Sequence, residues 1–467
     1  MTTPSARETG EGSIEISQQK GLLGAPPAAA DQRAVSHDDL PQLYRDTSFW
    51  GMAVTQFLGA FNDNLFKQLI LLLATPAAAG VAAVEVAATE QGEDLQWAAM
   101  FVFAAAFLIF SGFAGFLSDR FSKRPLIILA KLAEIGIMLL GVIGFFYYAH
   151  IGFGGMLVVL FLMGAQSAFF GPAKYGILPE MLRARDLPRA NGVFLMLTFL
   201  AIIFGVALAG GLLDLFGKRV WVASLVCVAI AVVGTGTSLL IRRLPPAQPR
   251  LKYRGSTWLI SREMVGLLRE DRELLRAVFV VSIFWMVGGI VQPTLNALGR
   301  TQLGLASDFE VSALSGAVGI GIAAGCMLGG YFSRNRVNAR VVRVGAVGLI
   351  VTMLVMSLPG GAHRHLLGYW GSMPVLALMG MFTGMFIVPI QVMLQSRPPR
   401  GDKGRMIATM NQFTWIGVIL SAVLYKLCIE VLDATGGPRN LIFAVTAVIM
   451  LPVALFYRPP DQKLGDD

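Results

Sequence analysis

Long apolar runs alternate with short polar segments from one end of the chain to the other, and this alternation predicts a bundle of membrane-crossing helices. Runs long enough to cross a hydrocarbon core about 30 Å thick number twelve, at approximately 49–74, 98–118, 126–148, 155–175, 191–213, 219–241, 274–298, 311–333, 341–359, 372–395, 406–430 and 439–457. The longest polar stretch between runs, 242–273, carries Pro245, Pro246 and Pro249 and then an amphipathic basic piece around Trp258 to Leu268. It divides the runs into two sets of six. The expected organisation is a disordered tail over 1–45, a first bundle over 46–241, a linker over 242–273, a second bundle over 274–457 and a short tail over 458–467. The basic face of the linker suits either contact with anionic headgroups of a membrane or a solvated connection.

Composition places the chain in the same class. Of 467 residues, 55% are hydrophobic and only 14% charged, and the mean hydropathy is +0.65, far from the averages of soluble domains. The expected fold class is all-α and integral to the membrane. A net charge of +9 invites a nucleic-acid partner, but the basic residues fall in alternate loops and argue for none. One set of loops holds Arg120, Lys123 and Arg124, then Arg183, Arg185 and Arg189, the run from Arg242 to Arg276, and later Arg334, Arg336, Arg340, Arg397, Arg400, Lys403 and Arg405. The opposite set holds Lys218, Arg219, Arg300, Arg364 and Arg439, while loop 75–97 carries Glu85, Glu90, Glu93 and Asp94 with no base. Positive residues stay inside, so both termini are expected in the cytoplasm and loop 75–97 outside. The first 40 residues lack the basic start and short apolar core of a signal peptide and read as a cytoplasmic tail. Cys227, Cys326 and Cys428 lie far apart in apolar runs, without metal-ligand spacing, and read as core residues.

Charges inside the spans are the candidate chemistry. An Asp near the centre of a helix in hydrocarbon costs about 2.5–3.5 kcal/mol, so such residues face a cavity or a substrate path rather than lipid. Asp63 is such a residue. On a helix Gln56, Asp63 and Lys67 fall within a stripe about 40° wide, with Gly59 and Ala60 beside them, and Asn64 is a further binding candidate on the same helix. The spacing of Asp63 and Lys67 also allows them simply to neutralise each other. Lys131 and Glu134 in the third run form a second charged station, or a self-neutralised pair on one helix. If that helix starts at Pro125, they lie about 9 and 13 Å in from its end. Polar groups of the second half are mostly uncharged, with Gln292 and Asn296 around Pro293 the clearest binding candidates. Phe57, Phe61, Phe66, Phe169 and Phe170 can supply an apolar side, or only packing.

The two halves carry traces of one another. Gly115-Phe116-Leu117-Ser118-Asp119-Arg120 resembles Gly330-Tyr331-Phe332-Ser333-Arg334-Asn335, Gly171-Pro172 precedes Val388-Pro389 by about 217 residues, and Asn191 matches Asn411. Repeats of six spans keep the same orientation, so a pseudo-twofold axis along the membrane normal relates them. This arrangement, together with the string from Gly115 through Asp119, Arg120, Lys123 and Arg124 to Leu126, resembles the major facilitator superfamily. In that family the string acts as a latch holding the inner ends of the halves together. Ser122 departs from the pattern, as does Arg334, which takes the Asp position in the second copy.

Three further strings narrow the resemblance. Gln56 to Lys67, Phe170 to Glu180 and Arg189-Ala190-Asn191-Gly192 resemble the bacterial lysophospholipid transporters, in particular those associated with a glycerophospholipid acyltransferase. The resemblance implies a carrier of the bacterial inner membrane that moves lysophospholipids from the outer to the inner leaflet by alternating access, for re-acylation by a separate acyltransferase. The chain itself is expected to be no enzyme and to need no cofactor. Five residues after His37, His150, His363 and His365 stand Gln42, Gly155, Gly368 and Trp370, so the His-x4-Asp acyltransferase signature is absent. The competing reading is a facilitator that exports another amphipathic molecule, driven by protons, with Asp63 or Glu134 as the titrating group.

Overall fold

A computed structural model describes residues 41–75, 94–183, 186–217, 219–247, 249–251, 262–332, 338–361, 364–396 and 403–459. The tails, most of loop 75–97, the middle of the linker and Arg334 of the second loop copy lie outside them. The helices are α1 (Thr47–Leu73), α2 (Gln96–Arg120), α3 (Lys123–Phe146), α4 (Tyr148–Gly176), α5 (Leu178–Met181), α6 (Leu187–Phe216) and α7 (Val220–Ser238). They continue as α8 (Arg262–Glu270), α9 (Arg272–Thr301), α10 (Asp308–Phe332), α11 (Ala339–Met356), α12 (Gly368–Ser396), α13 (Lys403–Thr435) and α14 (Leu441–Phe456). Leaving out the short α5 and α8, twelve long helices among the described residues stand where the apolar runs predict them.

Ten of the twelve are long and apolar enough to cross a membrane. The sixteen residues of α14 make it shorter, and α1, with 27, falls outside the ten because its polar lane lowers its hydropathy. The boundaries have local causes. Asp46 caps α1 by accepting from the amides of Ser48 (2.9 Å) and Phe49 (3.4 Å), and Asp271 caps α9 through Glu273 and Leu274. Gly217, at φ 53°, ends α6, and Gly152, at φ 60°, breaks the first turns of α4 from the rest. Pro172, Pro293 and Pro389 sit inside helices, as spans packed against neighbours tolerate. Large apolar side chains such as Leu129, Leu215, Met327 and Phe456 point outward, which suits a lipid surround.

The packing repeats. In the first set α1 packs on α6 and α7, α2 on α4, and α3 on α4 and α7. In the second, α9 packs on α13 and α14, α10 on α12, and α11 on α12 and α14. Between the sets α2 meets α13 and α6 meets α10, and exchanging the sets carries one seam onto the other, as a pseudo-twofold axis requires. The helices α10 and α12 meet backbone to backbone. A Cβ on Gly321 or Gly380 would strike the carbonyl of Ala377 or Val318 on the facing helix, so only glycine permits that approach.

Candidate functional site

Following the loop charges, we call the end bearing the α1–α2, α6–α7 and α9–α10 connections the outer end. Within the first half, α1 aims its polar residues at three neighbours. Gln56, buried, donates from Nε2 to the carbonyl of Phe194 (3.0 Å) and to Thr198 Oγ1 (3.1 Å), so it binds α1 to α6. Asn62 faces α3 and donates to Glu134 Oε1 at 2.8 Å. Asp63 faces α4, where its Oδ2 accepts from Ser167 Oγ at 2.6 Å, while its Oδ1 is buried without a partner among the described residues. Glu134, Lys131 and Lys174 are charged groups that act on this carboxylate.

Among the described residues Asp63 and Lys67 do not form an ion pair. Lys67 instead donates to Asn64 Oδ1 at 3.3 Å and lies 5.7 Å from the centre of the Phe103 ring on α2. Asn64 itself donates back to the carbonyl of Ala60 at 2.8 Å. Lys131 and Glu134 do pair with each other, both fully buried, so the same-helix pair allowed by their spacing is formed. Room for the lysine comes from two glycines. A Cβ on Gly59 would lie 3.1 Å from Lys131 Nζ and one on Gly234 3.2 Å from it, and the ammonium also sits over Phe170 at 5.8 Å. Because α3 begins at Lys123 rather than Pro125, the pair is about 12 and 16 Å in from its start, deeper than expected. Lys174 lies over the Tyr175 ring at 4.9 Å, near the inner end of α4.

Gln292 and Asn296 are held elsewhere. Gln292 donates to Gln68 Oε1 (3.0 Å), Gln68 donates to Asn296 Oδ1 (3.1 Å), and Asn296 donates to Gln96 Oε1 (2.8 Å). Gln96 Nε2 in turn reaches Asp94 (3.2 Å) and the Pro293 carbonyl (3.2 Å), and Tyr425 donates its hydroxyl to Asp94 Oδ2 at 2.7 Å. Burial pushes the Asp94 carboxyl up from its ordinary value, against the hydrogen bonds from Tyr425 and Gln96 that pull it down. This chain of groups joins α1 and α2 to α9 and α13 near the outer end.

At the opposite end lies the loop signature. Gly115 has open space around it, Asp119 and Arg120 are exposed, and Arg120 stands over the rings of Phe116 (5.7 Å) and Phe121 (5.6 Å). Lys123 is buried and paired with Glu180, just beyond α4, and Arg124 donates to the carbonyl of Leu239 at 3.0 Å. These bonds of Lys123 and Arg124 stay inside the first half. Asn62, Gln68, Gln96, Ser167, Glu180 and Tyr425 have no assigned role in the sequence reading. Gln68 and Glu180 lie next to or inside the quoted strings, but Ser167 and Tyr425 carry no local signal, since their partners come from other helices.

Residues 52–422 match the Major Facilitator Superfamily. The lysophospholipid transporter LplT of Cronobacter sakazakii is 30% identical over 417 residues, covering 87% of this chain and 94% of that protein. The LplT of Klebsiella pneumoniae strain 342 is 28% identical over 404 residues, covering 84% and 91%. Among solved structures, a POT family transporter in complex with 5-aminolevulinic acid superposes with a TM-score of 0.66 at 13% identity, covering 90% of this chain and 98% of that one. A variant of the nucleoside transporter NupG gives 0.60 at 13% identity, covering 88% and 98%. Repeated packing, matched family and relatives agree: the chain belongs to the Major Facilitator Superfamily and, within it, to the lysophospholipid transporters.

Proposed function

We propose that this transporter moves lysophospholipids from the outer to the inner leaflet of a bacterial inner membrane, by rocking the six-helix bundles 46–241 and 274–457 about a site reached from either side. Both termini and the linker 242–273 are cytoplasmic in this reading, and a separate acyltransferase restores the second acyl chain. The observation that carries it is Asp63, with one carboxylate oxygen held by Ser167 and the other buried and, among the described residues, unpartnered, and with Lys67 in no ion pair among them. A lysophosphatidylethanolamine headgroup has an ammonium for the first and a phosphate for the second. Charge-assisted hydrogen bonds of that kind are strong where water is excluded. The relatives named for lysophospholipid transport support the substrate class. The signature Gly115, Asp119, Arg120, Lys123 and Arg124 serves as the conformational latch, and Lys131 and Glu134, already paired, set the field around Asp63. Uptake of radiolabelled lysophospholipid into proteoliposomes, with and without a pH gradient, tests the proposal. Lipid uptake above empty vesicles supports it; no uptake of lipid, with drug-stimulated proton flux, favours the proton-driven exporter.

A further inference from the structure

Asp63 and Lys67 stand four residues apart on α1, acid before base, the order in which a helix favours an ion pair, and among the described residues they form none. Away from water such a pair would be stronger than at a surface, so its absence needs a cause. Glu134 shows the alternative one helix away, with Oε2 on Lys131 and Oε1 on Asn62. The two charges of α1 are drawn instead to different neighbours. Ser167 Oγ on α4 donates to Asp63 Oδ2 at 2.6 Å, while Lys67 donates to Asn64 Oδ1 and lies against the Phe103 ring of α2. The bonding of Ser167 is unusual for a hydroxyl in a span. Such groups commonly donate to the carbonyl four residues back, as Thr55, Thr198, Thr235 and Thr294 do here. Ser167, buried, has the side chains of Asp63 and Gln166 as its acceptors. Gln166 donates from Nε2 to the Ala130 carbonyl at 3.0 Å and so anchors this turn of α4 on α3. Asn64 is fixed in turn by its bond to the Ala60 carbonyl.

We infer that Ser167 and Asn64 are positioning residues that hold Asp63 and Lys67 apart, so that the two charges stay open to a headgroup carrying both an ammonium and a phosphate. This role deepens the transport reading and rests on it for its purpose, while the separation itself exists without lipid. A closed pair would have to open before every binding event, and the apparent affinity would fall in proportion to the fraction of open molecules. Two held charges need no such step. The contacts that hold them are weaker than the ion pair they prevent, but each is fixed by a second bond to backbone or to a neighbouring helix.

Carbodiimide chemistry without any lipid reads the separation directly. Dicyclohexylcarbodiimide activates a carboxyl within the membrane; an amine in contact then displaces the urea to form an amide, and otherwise the carboxyl keeps the reagent as an acylurea. The ratio of Asp63–Lys67 amide to Asp63 acylurea, measured by mass spectrometry after digestion of the treated full chain, corrects for the reactivity of the carboxyl. Ser167→Ala should raise that ratio about fivefold, the value of one hydrogen bond in the balance between held and paired states. Asn64→Ala should raise it as well, and decides the matter if Ser167→Ala fails to fold. Ratios within about twofold of the parent in both variants overturn the separation, whatever the protein does with lipid. Uptake supplies a second measurement. Ser167→Ala should raise the KM for ethanolamine and glycerol lysolipids alike, because a closed pair removes the partner of the ammonium and that of the phosphate together. A rise for the ethanolamine lipid alone would overturn the separation and leave Ser167 acting on Asp63 only.

Discussion

Asp63 and Lys67 show what a single residue reveals in a sequence and what it withholds. Their presence in a span was legible, because a charge in hydrocarbon is expensive. Their partners were not, since Ser167 and Phe103 reach them from α4 and α2. If they hold a headgroup, Asp63→Asn should raise the apparent KM for an ethanolamine lysolipid about tenfold, the value of one charge-assisted hydrogen bond, and leave a glycerol lysolipid nearly unchanged. Lys67→Gln should weaken both, because both carry phosphate. Initial rates of uptake against lipid concentration measure this; variants blind to headgroup, or a double variant with full activity, would place the two residues in the structural core. Lys131 and Glu134 give the opposite case, in which the spacing on one helix already contained the pair. Lys131→Met should destabilise the purified protein by about 3–5 kcal/mol, by leaving the buried Glu134 carboxylate without its cation and with only the Asn62 amide donating to it, and adding Glu134→Leu should recover part of that loss, since Asn62 then loses its acceptor. Thermal unfolding in detergent would show it, and equal melting of single and double variants would contradict it.

At the scale of elements, the apolar runs located the long helices because crossing a bilayer demands length and apolarity together. Breaks inside them were less legible. The kink at Gly152 depends on one backbone conformation, and the near-contact of α10 with α12 depends on glycines from both helices aligning. Gly380→Leu should therefore cost about 3 kcal/mol or more, because the Val318 carbonyl cannot retreat without separating the helices. Gly288→Ala, with open space around it, should be neutral or slightly stabilising in the same melting assay. The hairpin between α11 and α12 offers a pH test. His365 is buried there, with Nε2 on the Met356 carbonyl (2.9 Å) and Nδ1 on Ser372 Oγ (3.2 Å), and burial pulls its pKa below the ordinary 6.5. A base with a lowered folded value binds its proton more weakly folded than unfolded. Its contribution is thus fully present above pH 6.5 and is lost as pH falls through the folded value. The Gly360 amide, which donates to the Arg364 carbonyl at 2.9 Å, should lose exchange protection on acidification below that point. In His365→Gln the protection should no longer depend on pH.

For the whole molecule, the duplication was visible in scattered strings but its consequence emerged only in packing, where five helix pairings recur and the two seams exchange. No local pattern announces that Gln68 will meet Asn296, because such contacts depend on how two bundles face each other rather than on the order within either. The same separation governs the loop signature. Lys123 and Glu180 clip α3 to the segment after α4, so Lys123→Met should mainly lower stability. Asp119, exposed at the end of α2, is the residue through which the signature would act on the balance between states. A group that biases that balance without touching ligand changes the rate of cycling and leaves intrinsic affinity alone. Asp119→Asn should therefore slow lysolipid uptake by about tenfold while shifting lipid affinity, read by tryptophan quenching in detergent, by no more than about threefold. Equal losses in rate and affinity would assign Asp119 to the binding site, and an unchanged rate would remove it from the transport cycle.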